Sequence, residues 1–554
     1  MIAELAAAAV FAVGVPAAAG ADVQVGVGLK PNPSVTATLK KQINEPRALA
    51  IAKALPKVAA ERKANPHSHW DTSLQVQRWR VQLWTASGEL RAEVFVDRKS
   101  GAVLEQWTGY QAAWSMARGY PGAFGHSAAA LWVWLPLLAA FLIGLLPRGR
   151  PNRRWLDVAA VGALSVSFAG FNRGRIDLST PFLYPPMLWL LVSMLWRGLR
   201  PPEPLPAARR TLLPASVMII GIVFLVGFRA SLVVADGNVI DVGEASVIGG
   251  DRLINGKQVY GHFPKRIERG DTYGPSTWAA YSPFALLFDM KSNDGRLAAA
   301  ATAAVVFDLI CLLLLVLLGY RLRGPPAALA AAWFWVTCPF TLYVAMCGAN
   351  DGLVAAALTF SLISVTASGT RGGFLRGITV VLSALTKFAG LALLPMFARV
   401  KGSSNFRSVM AWGFGAALAS AVALAPYVDD LSAVWDRTIG YQDSRGAPFS
   451  AWGLYHLPDW SRTGWQVVVL CLAVIAAVLP KARYRDATAL AALSTALLIA
   501  AQLSAVYWFY TYLIWFIPAV AIVVAVELEP AGVSRWLPGA GPAQSEQADH
   551  SQPG

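Results

Sequence analysis

Charge is scarce in this chain: Asp, Glu, Lys and Arg make up 14% of 554 residues, while apolar residues make up 56%. Soluble chains carry nearer a quarter charged residues, so an ordinary soluble enzyme is excluded. Cysteine is almost absent. The four present (Cys311, Cys338, Cys347, Cys471) sit in apolar stretches without metal-ligand spacing, which excludes a disulfide scaffold and leaves small packing residues. The histidines (His67, His69, His126, His262, His456, His550) all fall outside the apolar spans, which excludes paired axial ligands for a membrane haem. A DxD-like acidic pair is missing, and so is the internal repeat common in secondary transporters. The sequence therefore predicts neither metal nor cofactor.

What the chain has in excess is basic residues, 47 against 32 acidic, for a net charge of +15. Most of them cluster in short loops between apolar spans. Membrane topology explains that pattern, and nucleic acid is not an expected partner.

Three regions follow from composition. Residues 1–21 form a short apolar run ending in small residues, like a secretory signal, although Glu4 stands where a basic residue is usual. Residues 33–115 are polar: a helical pattern (EPRALAIAKALPKVAAE) precedes the strand-like runs VQRWRVQLWTA and LRAEVFVDR, with turns at Ser87-Gly88 and Lys99-Ser100-Gly101. His67, His69 and Trp70 (HSHW) read as a surface turn. This helix with "VFVD-x-x-SG-x-VL" resembles a PepSY-type domain, which implies a small α+β extracytoplasmic binding or regulatory module. Residues 126–527 form a polytopic membrane domain, and residues 530–554 a disordered cytoplasmic tail.

Apolar spans are predicted near 128–146, 155–171, 181–196, 212–235, 297–320, 326–346, 352–368, 376–398, 408–427, 465–480, 486–505 and 507–527. The basic loops 148–154, 197–210, 321–324, 371–377, 399–407 and 481–485 should be cytoplasmic. Two of these loops flank one apolar stretch that is interrupted at Thr386-Lys387. That stretch therefore reads as a re-entrant hairpin with Lys387 near its tip, alongside about eleven full crossings.

The opposite, extracytoplasmic face then collects the unusual residues. Asp236, Asp241, Glu244 and Asp251 precede His262 and TYGPSTWAAYSPF in the first large loop. Asn350-Asp351-Gly352 marks a corner, and Tyr441, Asp443, Arg445 and His456 lie in the last large loop. If the stretch after Ile240 is helical, Asp241 and Glu244 share one face, one turn apart. A partly buried carboxylate with a raised pKa suits general-base work. Asp308, inside a span, is the residue that favours a transporter. A non-catalytic membrane scaffold built around the PepSY-like module is a further alternative.

The order "D-V-G-E-A…L-I-N-G-x-x-V-Y, T-Y-G-P…Y-S-P-F" resembles membrane glycosyltransferases of the GT-C fold. The closest group is the polyprenyl-phosphate-mannose-dependent family, glycosyltransferase family 87. The positions that carry the resemblance are Asp241, Leu253, Gly256, Tyr260, Tyr273, Pro275 and Pro283, with Asn350-Asp351-Gly352, Thr386-Lys387 and an aromatic final helix (Tyr507, Trp508, Tyr510, Tyr512, Trp515). The resemblance covers about residues 212–527. It implies a mostly α GT-C bundle in a bacterial cytoplasmic membrane, with an extracytoplasmic site. A sugar, mannose first, would move from polyprenyl phosphate to a glycan, glycolipid or protein acceptor with inversion.

Asp241 is the implied general base, with Glu244 as the rival, because the family usually has an aromatic residue near that position. Lys387, Arg445 and Arg437 are the implied donor-phosphate ligands. Tyr260, His262, Tyr273, Asn350, Asp351, Tyr441 and His456 are the implied sugar and acceptor contacts.

Overall fold

The computed structural model describes residues 42–120, 124–149, 155–200, 207–441, 447–479 and 485–532. The signal-like segment, Asp443, Arg445 and residues 533–554 lie outside the described residues. The chain divides into two compact units at Thr108/Gly109, somewhat before the boundary expected near residue 115.

In the first unit the expected single helix is two, Glu45–Ala54 and Pro56–Ala64. Leu55, which precedes Pro56, takes an extended conformation (φ −71°, ψ 126°) because the proline ring disfavours helical backbone there. Four antiparallel strands follow in sequence order: β1 (His69–Gln75), β2 (Arg78–Trp84), β3 (Leu90–Asp97) and β4 (Val103–Thr108). Gly88 (φ 80°) and Gly101 (φ 76°) make the two anticipated turns. Alternate residues Val81, Leu83, Ala92, Val94 and Val96 pack on Ala48, Ala52 and Val58, so one sheet face and the helices form the core. His69 and Trp70 open β1, which corrects the reading of HSHW as a turn throughout.

The second unit is helical, and the chain is a multi-pass membrane protein. A helix occupies each anticipated apolar segment, but the helices differ in length. Among the described residues, five are long and apolar enough to cross a bilayer: Ile176–Leu199, Ala215–Asp236, Asn293–Arg323, the run Phe406–Gly440, and Asp459–Val478. Pro325–Thr337 and Pro339–Met346 make a sixth if taken as one span bent by 55°. Pro339 and the extended Cys338 before it cause that bend. Leu131–Gly144, Trp155–Phe171, Asp351–Ser364 and Ala487–Gln502 are shorter apolar helices. The final segment is not one helix. Phe509 is extended, Tyr510–Trp515 forms a 3-10 turn, and Ile517–Ala525 alone is α-helical. Beyond it, β6 (Leu528–Ala531) pairs in parallel with β5 (Arg209–Pro214), so order runs past the expected start of the tail at residue 530.

Loop-to-loop bonds tie the basic loops together. Arg148 N–H donates to Arg210 O (2.8 Å), and Arg323 donates to Val526 O (2.7 Å). Arg321 reaches Thr366 (3.1 Å), and Lys401 N–H donates to Arg485 O (2.8 Å). The loops holding the candidate site residues are bonded to one another instead.

Inside the bundle, Asp308 meets Arg229 (2.5 Å) and accepts from the Trp335 indole (3.0 Å), while Arg229 also donates to Thr341 (3.0 Å). A buried charge with this many partners is a satisfied structural pair. It accounts for Asp308 without a transport role.

Candidate active site

The site is built by four segments that meet through main-chain bonds. Asn238 and Ile240 N–H donate to Met346 O (2.8 Å) and Cys347 O (2.9 Å), docking the start of the Asp241–Ile254 helix on the corner before Asp351. Gly243 permits this approach, since a Cβ there would stand 2.2 Å from Gly348 O. Asn350 Nδ2 donates to Ser246 Oγ (3.0 Å), joining the same helix to the corner from the side. Gly274 and Ser276 N–H donate to Thr386 O (3.0 Å) and Leu385 O (3.1 Å), bringing TYGPS beside Lys387. The helix Gly369–Ala384 stops just before this point, and the 3-10 run Phe388–Phe397 turns back from it, so the expected break at Thr386-Lys387 is present.

Lys387 is the centre of this convergence. Its Nζ lies 2.5 Å from Asp351 Oδ1, and Asp351, 1% exposed, also accepts from the Trp515 indole N–H at 2.6 Å. The rings of Tyr273 (5.1 Å), Trp515 (5.2 Å) and Tyr512 (5.5 Å) surround the ammonium at cation–π distance. Asp351 is also the first residue of its helix, where the positive end of the helix dipole favours a carboxylate.

The two carboxylates of the first loop part company. Asp241 opens its helix and is exposed, its Oδ1 accepting from Val242 N–H (2.9 Å). Glu244 is buried, and the expectation that it could serve as a base with a raised pKa is corrected. Arg266 grips it with two N–H groups, one at 2.5 Å, and Arg296 Nε adds a third bond at 2.8 Å. The Arg266 guanidinium first, then Arg296, holds the Glu244 carboxyl below its usual range, so it stays ionised and accepts no proton at neutral pH.

Other candidates have structural duties. Tyr260 is buried, donates to Tyr273 O (2.9 Å) and accepts from Trp278 (3.0 Å), and burial pushes its hydroxyl pKa up. It supports Tyr273 from behind and does not present its hydroxyl to a substrate. Arg437 is spent on buried Asp271 (2.8 Å) and on Glu268 O, which pins the first loop to the last. Tyr441 lies under the Arg269 guanidinium (5.3 Å). His262 is exposed on the first loop, and His456 is exposed with φ 50°.

Sequence reasoning missed Arg266 and Arg296 as partners of Glu244. The available signal was KRIER (265–269), a basic run in a loop expected on the extracytoplasmic side, where a basic cluster calls for an acidic partner. Among the described residues, no three or more His, Cys, Asp or Glu side chains gather in metal-binding proximity.

Residues 272–507 match the model of glycosyltransferase family 87. The match covers less than half of the chain. It contains Tyr273, Asn350, Asp351 and Lys387, and begins after Asp241 and Glu244. The chain also has a likeness to a solved structure, ArnT from Cupriavidus metallidurans bound to undecaprenyl phosphate, at 16% identity and a TM-score of 0.34. That alignment covers 56% of this chain and 59% of the other, so the chain spans less than two thirds of that protein's length. No curated protein matches.

Proposed function

We propose that this protein transfers a sugar, with mannose the first candidate, from a polyprenyl phosphate to an acceptor on the extracytoplasmic face of a bacterial cytoplasmic membrane. The observation that carries this reading is the convergence at Lys387. An ammonium, a buried carboxylate, three aromatic rings and the corner on which the Asp241 helix docks come together at the segment that matches the family 87 model. Outside the cytoplasm a glycosyl donor has to be lipid-borne, and the family resemblance supplies a polyprenyl phosphate.

In the proposed reaction the exposed Asp241 carboxylate takes the proton from the acceptor hydroxyl as that oxygen attacks the anomeric carbon. The new carbon–oxygen bond forms while the bond to the polyprenyl phosphate oxygen breaks, inverting the centre. The phosphate leaves as an anion, and Lys387 offsets the charge that develops on it. Asp351 and Trp515 hold the ammonium in place, and the rings of Tyr273 and Tyr512 offer faces on which a sugar stacks. General-base assistance is worth about 100- to 10,000-fold.

The test is Asp241→Asn in purified protein given a polyprenyl phosphate sugar and a membrane-lipid extract as acceptor. Transfer should fall by about 100-fold or more, with the melting temperature held, because Asp241 is exposed. Full activity in this variant overturns Asp241 as the base.

A further inference from the structure

The chain enters the second unit at Gly109 and then reaches the helix Leu131–Gly144, through a connection that the transfer reaction leaves unused. Four of its residues, Phe124 to Ser127, touch three of the segments that build the site. Ser127 N–H donates to Asp236 Oδ2 (2.9 Å), the Ser127 hydroxyl donates to the same oxygen, and His126 Nδ1 lies 3.5 Å from Asp236 Oδ1. Asp236 ends the helix Ala215–Asp236 and stands just before the Asp241 helix. Gly125 lies so close to Tyr343 that a Cβ would stand 2.5 Å from the ring. Tyr343 belongs to the helix Pro339–Met346, whose last carbonyl, Met346 O, accepts from Asn238. The Phe124 ring meets the Phe509 ring edge-on at 5.9 Å, in the run that carries Tyr512 and Trp515 to Lys387.

We propose that Phe124–Ser127 is a positioning staple for sugar transfer: it fixes Asp236, and through the short segment that follows it sets where the Asp241 carboxylate stands. The inference rests on the glycosyl-transfer reading above, and it adds Asp236, Ser127 and His126 as positioning residues.

Two features set these contacts apart from ordinary helix packing. A carboxylate at the last position of a helix faces the negative end of the macrodipole, which opposes it. Asp236 therefore gains nothing from its own helix, and its stabilising partners are the donors of Ser127 and the imidazole of His126. His126 also holds φ 38°, a left-handed conformation that side chains seldom adopt and that persists where the surroundings enforce it. Gly125 before it is left-handed too (φ 77°), so the chain bends sharply at the point where both Ser127 donors meet one oxygen.

The route from staple to base is short and bonded. Gly237 N–H donates to Val233 O (3.0 Å), Asn238 N–H to Met346 O (2.8 Å) and Ile240 N–H to Cys347 O (2.9 Å). Gly125 braces the other side of the same seam through Tyr343, so the staple bears on both partners of the Asn238–Met346 bond. Placement of this order matters to catalysis, since a misplacement of about 1 Å costs about 100-fold.

The test uses the full-length protein in detergent, with the polyprenyl phosphate sugar and lipid extract named above. Asp236→Ala should lower kcat at least tenfold and leave the KM for the donor in place, with the melting temperature held. Asp236→Asn, which keeps an acceptor oxygen for Ser127, should restore most of the activity. Ser127→Ala is the second variant should Asp236→Ala fold poorly. The decisive comparison is made in the Asp241→Asn background. A residue that acts through the base has nothing left to position there, so adding Asp236→Ala should not lower the residual transfer further. An added tenfold loss in that background, or full kcat in the single variants, overturns the positioning role. Hydrogen exchange read by mass spectrometry needs no turnover. The amides of residues 237–243 should exchange at least tenfold faster in Asp236→Ala than in the wild type, and unchanged exchange overturns the staple. If the wild type transfers no sugar from any polyprenyl phosphate, the transfer reading falls by that result alone, and the exchange comparison still decides whether Phe124–Ser127 fixes the segment leading to Asp241.

Discussion

At the residue scale, the division of labour between Asp241 and Glu244 comes from their neighbours. Both are acids on the first turn of one helix, yet one faces solvent and the other is clamped by two guanidiniums. The depressed pKa of Glu244 has a defined thermodynamic sign. It contributes stability above the unfolded value, about pH 4.3, and that contribution is lost as pH falls through the lower folded value. The wild-type melting temperature should therefore fall on acidification below about pH 4. Glu244→Gln should melt lower at neutral pH and lose less on acidification, and parallel pH curves for the two proteins would refute the assignment. Lys387 and Asp351 form the second pair to test. Removing the ammonium with Lys387→Met leaves a buried carboxylate without its counter-ion, at a cost of about 3–5 kcal/mol. Adding Asp351→Asn removes the charge and keeps an oxygen for the Trp515 indole, so chemical denaturation should show stability regained. Sugar transfer should stay lost in the double variant, because the cation proposed to meet the leaving phosphate is gone. The residue types at this site were legible from sequence, in TYGPS, Asn350-Asp351 and Thr386-Lys387. Their pairing was not, because Asp351 and Lys387 are brought together across the bundle and nothing local to either names the other.

At the scale of elements, the site depends on segments fitting closely without side chains between them. A Cβ on Gly274 would stand 2.0 Å from Leu385 O, in the seam that places Tyr273 beside Lys387. Gly274→Ala should force that seam apart and cut transfer at least tenfold, while the far-UV circular dichroism of the helices is retained. Unchanged transfer would mean that the Tyr273 segment is not part of the machinery. Local signals also account for where the elements were misread. Pro56 and Pro339 split runs whose hydrophobic pattern continues straight through them. The last aromatic run reads as one apolar helix, yet Phe509 is extended and Tyr510–Trp515 is a 3-10 turn, which is how Tyr512 and Trp515 face Lys387. Hydrophobicity reports burial, and it does not separate an α-helix from a buried irregular segment.

At the scale of the whole molecule, the bonds among the basic loops and those among the site loops define two ends of the membrane domain. In the proposed topology the end rich in Arg and Lys is the cytoplasmic one. In cells carrying Lys257→Cys, a membrane-impermeant maleimide should label the protein from outside. Of the native thiols, Cys311, Cys338 and Cys347 are buried and Cys471 lies on an apolar helix, so background labelling should be low. Protection of the introduced thiol until the membrane is opened would invert the topology and remove the argument for a lipid-borne donor. Composition and the apolar pattern alone determined that this chain is a helical membrane protein and where its polar residues cluster, because burial in lipid acts on each segment separately. Only the tertiary structure decided which carboxylate is free and which is clamped, that Asp308 is matched by Arg229, and that Lys387 sits among Asp351, Tyr273, Tyr512 and Trp515. Those outcomes depend on distances between segments far apart in the chain, and a buried charge takes its character from whatever group the fold sets against it.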